Sequence, residues 1–168
     1  VLLSVFSRKL MANALDADVE HEIWLWSRYG FKPNQHTNKP IPLGVALPVI
    51  GSAISLGTLK ILTLLTYEAK AMKRRAAKRF GYYSFTEITD RHTSLIGAAG
   101  ITVTLLLSLV SYFIPGGEPL AKLAAYYAFF NMIPISKLDG AQIFAGSRVV
   151  WTVLAIITLI FSAYALSF

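Results

Sequence analysis

The sequence contains no cysteine. That excludes a disulfide framework and any thiolate metal site. Charge is scarce: Asp, Glu, Lys and Arg make up 15% of the 168 residues. An ordinary soluble domain carries about 25%, so the composition argues against one. Histidine is limited to His21, His36 and His92. No two of them stand one helical turn apart, so the HExxH pair of a zinc-protease helix is missing. Neither a phosphate-binding Gly-rich loop nor a GxSxG elbow occurs. The net charge of +7 would suit nucleic acid. The basic residues crowd one loop between apolar runs, however, and no stacking platform accompanies them, so no nucleic-acid partner is expected.

What is present is apolar. Hydrophobic residues reach 55% and mean hydropathy is +0.54. Val1 to Leu15 reads as a helix or the end of one. The chain opens inside that apolar run without Met, which leaves room for an earlier segment carrying a further helix or metal ligands. Asp16 to Trp26 alternates with period two and predicts a short strand. Val19, His21, Ile23 and Leu25 would share one face, with Glu20, Glu22, Trp24 and Trp26 on the other. The Trp pair and Tyr29 suit a membrane–water interface. Phe31 to Pro42 is rich in turn formers.

Ile41 to Leu59 is uncharged, and apart from Lys60 the apolar character continues to Tyr67, enough to span about 30 Å of hydrocarbon. Residues 68–92 form a basic loop, expected in the cytoplasm by the positive-inside rule. Its second half, Phe80 to Ile88, is aromatic and suggests another short strand. Thr93 to Gly117 is the clearest spanning helix, with a small face at Gly97 to Gly100 for close packing. A shorter helix opens at Pro119 and runs to about Met132. Val149 to Phe168 is the last span. The fold expected is an all-α, multi-pass protein of the cell membrane, in contact with membrane lipids. It is one domain over residues 1–168, with about four transmembrane helices and a small interfacial β-hairpin or sheet.

Between the last helices lies Asn131 to Gly140, NMIPISKLDG. Asp139 is the only acidic residue after Glu118. An ionisable group among apolar runs marks a functional site by default. Asn131, Pro134 and Gly140 interrupt any simple helix. Broken backbone at membrane depth needs protein or a wet cavity around it. A helix–turn–helix corner, with Asp139 capping the next helix, is the plain alternative.

The pattern Asn-x-x-Pro-x-x-x-Leu-Asp-Gly resembles the second motif of the site-2 protease family of intramembrane zinc metalloproteases. The resemblance implies a site-2 protease-like core in which Asp139 stands at the third zinc ligand. Asn131, Pro134, Asp139 and Gly140 would then border the substrate groove. It extends upstream, where SVFSRKLMANALDADVEHEIW is similar to the HExxHK region of archaeal members. Ser4, Val5 and Arg8 fall on the His, Glu and His positions, and Lys9 on the Lys. Glu20 and Trp24 fall on a later acidic and a Trp position. The catalytic motif is then degenerate: no catalytic residue and no metal are expected. Val5 cannot accept a proton, and Arg8 brings positive charge to the place of the cation. Arg8 or Lys9 would pair with Asp139, because a lone carboxylate in hydrocarbon is costly. The alternative is that both side chains snorkel to the interface.

Three functions stay open. The first is an inactive relative that binds a transmembrane protein client in the old groove, with the strand near Val19 to Leu25 pairing an extended segment. The second is an active zinc protease, which would draw ligands from outside the chain or from His21, His92 and Asp139. HEIWL, at His21 to Leu25, has Leu in place of the second His and alternates like a strand. The third is a subunit of a membrane complex or a small transporter, with Lys60 and Asp139 as a buried pair.

Overall fold

The computed structural model describes residues 1–28, 36–56, 62, 65–72 and 88–167. Within them run α1 (Leu2–Ala14), β1 (Ala17–Ile23), β2 (Trp26–Arg28), β3 (His36–Ile41) and α2 (Leu43–Ile54). Then come β4 (Leu65–Ala71), α3 (Asp90–Phe113), α4 (Glu118–Met132), α5 (Asp139–Gly146) and α6 (Arg148–Ser167). The chain is mostly helical with small antiparallel sheets.

α1 carries no Gly or Pro from Leu2 to Ala14, so nothing breaks it early. It stops at Leu15, and Asp16 takes a positive φ of 53°, which Asp tolerates better than most residues. β1 follows at once and pairs with β4, not with its sequence neighbour β2. The expected small hairpin or sheet is thus two antiparallel pairs, β1 with the distant β4 and β2 with β3. Val19 faces Ala69 and His21 faces Tyr67 on the inner side. On the outer side Glu20 opposes Glu68, a like-charge pair that Lys70 relieves by bonding to Glu20. The alternation ends with the strand at Ile23. Trp24 is thereby buried while Leu25 is exposed, the reverse of the faces expected from period two.

β3 occupies part of the stretch read as turns and pairs with β2. The uncharged run after it also differs from expectation. α2 has 12 residues, about 18 Å of helix, well short of the roughly 30 Å of hydrocarbon. Pro48 lies inside it, and Leu56 beyond its end has a positive φ of 51°. The run does not continue as helix to Tyr67, because Leu65 to Ala71 form β4. Thr66 and Tyr67 are β-branched and aromatic, and both are buried against neighbouring elements. β4 also takes Glu68 to Ala71 out of the stretch read as a basic loop, and α3 begins at Asp90. Lys60, most of that loop and most of the aromatic stretch within it lie outside the described residues.

α3, of 24 residues, and α6, of 20, are long and apolar enough to cross a membrane. No other described helix passes that test; α4 has 15 residues. The partition of polarity is inverted in several places. Ser4, Arg8, Thr104, Ser108, Asn131 and Asp139 are buried, while Leu2, Phe6, Phe113, Val149 and Ile160 are exposed. Such a surface suits hydrocarbon better than water. α3 is the hub: α1, α4, α5 and α6 all touch it. One core forms around Ile101, Leu105, Ala128, Met132 and Ile143, and a second around Ala12, Val19, Tyr67 and Ile96.

Candidate functional site

The interrupted segment borders the first core through Met132. α4 ends at Met132, and Ile133 turns extended. Pro134 follows, and Ser136 adopts a positive φ of 55°. The chain then re-enters as α5, whose first residue is Asp139. Leu138 is the N-cap, and no side-chain capping bond forms. Asp139 is therefore not the cap of the plain helix–turn–helix reading. Gly140 lies directly on the Met132 carbonyl, so a Cβ there would collide with backbone. The Trp151 indole N–H donates to the same carbonyl at 3.1 Å. The corner is closed from both sides.

Asp139 points into the protein and is fully buried. Arg8, on α1, donates from Nη2 to Asp139 Oδ2, and Arg8 is fully buried as well. The phase of α1 selects Arg8. Ser4, Arg8 and Ala12 are all buried at intervals of one turn, whereas Lys9 is exposed. Ser4 donates to the Val1 carbonyl at 2.7 Å and meets the Tyr127 hydroxyl at 3.3 Å. Val5 is half-buried on the flank.

Three further groups shape the pair. The Arg8 guanidinium carbon sits 5.2 Å from the centre of the Tyr67 ring, a cation–π arrangement. Tyr67 in turn donates its hydroxyl to the Thr93 carbonyl at 2.7 Å. Gly100 and Gly97 of α3 clear the space. A Cβ at Gly100 would stand 2.5 Å from Arg8 Nε, and one at Gly97 would stand 2.5 Å from the Tyr67 hydroxyl. The GAAG face thus accommodates a guanidinium and a phenol. Tyr67 is the participant that sequence reasoning missed, because it sat in a run read as the tail of a span. Its strand signal was the Thr66–Tyr67 dipeptide.

The remaining candidates scatter. Asn131 is fully buried; its amide donates to Tyr127 O at 2.8 Å and Leu62 O at 3.2 Å. Of Asn131, Pro134, Asp139 and Gly140, only Pro134 is exposed. His21 lies on β1 across from Tyr67, with Nε2 buried and unpartnered. Burial, then the charges of Arg8 and Lys9, lower its pKa to about 4. HEIWL is strand up to Ile23, so it does not form a metal-binding helix turn. His92 stands in the first turn of α3, with Thr89 Oγ1 against its Nδ1. The side chain of His36 lies outside the described residues.

These residues do not fit a zinc ion. Arg8 covers one carboxylate oxygen of Asp139 and places a full positive charge beside it. Among the described residues no three of His, Cys, Asp and Glu are grouped so as to hold a metal. A groove of about 390 Å³ is bordered by Tyr67, Ala69, Thr93, Ser136, Lys137 and Gln142; Tyr67 joins it to the pair, while Arg8, Asn131, Pro134, Asp139 and Gly140 do not line it. Gln142 donates to the Tyr67 carbonyl at 2.9 Å from the side of β4 away from β1. That backbone edge of β4 faces the groove. No family model, no curated protein and no solved structure matches this chain.

Proposed function

We propose that this chain is a multi-pass membrane protein of the site-2 protease type in which Arg8 has replaced the metal, and that it binds an extended segment of a membrane-protein client without cutting it. The observation that carries the reading is the buried contact of Arg8 with Asp139. A guanidinium neutralises the carboxylate through Oδ2, leaving Oδ1 without a hydrogen-bond partner among the described residues, yet it cannot polarise a carbonyl as a Lewis acid or lower the pKa of a bound water. Of the groups at the positions expected for catalysis, Val5 lacks a proton acceptor, and Tyr67 beside Arg8 is committed to Thr93.

The groove supplies the binding half of the reading. Its β4 edge presents backbone groups of the kind to which an extended peptide adds as a further strand. Ser136 and Lys137 line the opposite wall, and Lys137 is exposed. The client's main chain would displace the Gln142 amide from Tyr67 O. In this reading α1 and α4 accompany α3 and α6 in the bilayer. Residues 68–92 face the cytoplasm by their positive charge.

A photo-crosslinking amino acid at Ala69, in chain reconstituted with a single-span model substrate, tests this. The expected result is a crosslinked, uncleaved substrate, with crosslinking reduced when Lys137 is replaced by Pro to deform the wall. Cleavage of the substrate, or no crosslink at Ala69 alongside a strong one on a distant face, overturns the proposal.

A further inference from the structure

A second groove, of about 360 Å³, opens where the C-terminal ends of α3 and α6 meet the start of α4. Leu109, Phe113, Ile160 and Phe161 make its walls. Ser108 lines it as well and is already committed, donating to the Ala121 carbonyl at 2.8 Å. The polar groups remaining in the lining are those of Tyr112, Tyr164 and Lys122. Tyr164 donates its hydroxyl to that of Tyr112 at 2.7 Å, with the rings edge to face at 5.3 Å. Lys122 completes the lining, and among the described residues it makes no ion pair.

We infer that this groove holds a phospholipid, one acyl chain lying between α3 and α6 and the anionic headgroup meeting Lys122. Three observations converge on that occupant. The groove is at the ends of the two helices able to span a membrane, where chain and headgroup part company. Tyrosine hydroxyls over an apolar interior are the side chains that settle at that boundary. Lys122, without an ion pair among the described residues, offers a cation to a phosphate from a long apolar stem. The inference rests on the membrane reading but not on the Arg8–Asp139 pair, which belongs to α1 and α5, elements that do not line this groove.

Native mass spectrometry of the full chain, released from bilayers of equal dioleoyl phosphatidylglycerol and dioleoyl phosphatidylcholine, tests this. One phosphatidylglycerol should be retained in preference. Lys122→Glu should lower that retention about fivefold, the effect expected of one interfacial lysine. Ala165→Phe, which fills the groove, should abolish retention of either lipid. Arg148→Glu makes the same charge change at the opposite end of α6 and should leave retention unaltered. Absence of selective retention in the parent chain overturns the inference, as does equal loss in Arg148→Glu. A dimer that Ala165→Phe disperses also overturns it, because the groove would then be an interface between two copies. If Ala165→Phe does not fold, the comparison of Lys122→Glu with Arg148→Glu still decides.

Discussion

Gly100 and Arg8 are fitted to one another: a methyl group on Gly100 would come within 2.5 Å of Arg8 Nε, 3.0 Å of Cγ and 3.3 Å of Cδ. Three atoms of one side chain cannot all give way while Nη2 stays on Asp139. Gly100→Ala is therefore expected to lower stability by about 2 kcal/mol, the usual cost of overfilling a packed interior. The midpoint of thermal unfolding in detergent measures it. Ala99→Gly, one residue away on the half-buried flank, should cost no more than about 1 kcal/mol, the helix-propensity difference alone.

The pair itself makes a sharper prediction. Replacing Asp139 by Leu, or Arg8 by Met, strands the other partner in the interior, at a cost of about 3–5 kcal/mol each. Both charges are fully buried, so solvent cannot rescue the survivor. Arg8→Met combined with Asp139→Leu removes both charges and should recover most of the loss. Thermal unfolding of the four proteins gives the coupling. Additive losses would mean that the two side chains do not depend on each other.

Acid should weaken the protein through His21. Burial, then Arg8 and Lys9, hold its folded pKa near 4, below the ordinary 6.5. The unfolded chain thus takes up a proton first as pH falls. Stability from this site is complete above pH 6.5 and is lost between 6.5 and 4. His21 is half-exposed, so screening reduces the effect to on the order of 1 kcal/mol. His21→Gln should flatten that part of the pH profile; an unchanged slope would assign it to other groups.

Much of the architecture could be read from residue order alone, for reasons that particular elements make plain. α3 and α6 are long apolar runs and α4 a shorter one, each bounded by Gly, Pro or charge, so local composition defines them. α1 carried a finer signal in Ser4, Arg8 and Ala12, which repeat every turn and form the buried stripe. That stripe distinguishes Arg8 from Lys9. β4 was hidden because its partner β1 is remote in sequence, and a short apolar run reads equally as strand or helix. The same ambiguity joined α2 to β4 as one span. Trp24 takes the face opposite to the period-two expectation because that period holds only while the strand lasts, to Ile23. At the site, Asp139 stood out as a lone charge, while Tyr67 and the two glycines acquire meaning only once β4 lies across α3.

The zinc content of the purified full chain, set against that of Asp139→Ala, tests the central claim most directly: that Arg8, not a metal, satisfies Asp139. The account predicts far less than one zinc per chain in both proteins and no difference between them. One zinc per chain that disappears with the Asp139 carboxylate would contradict it.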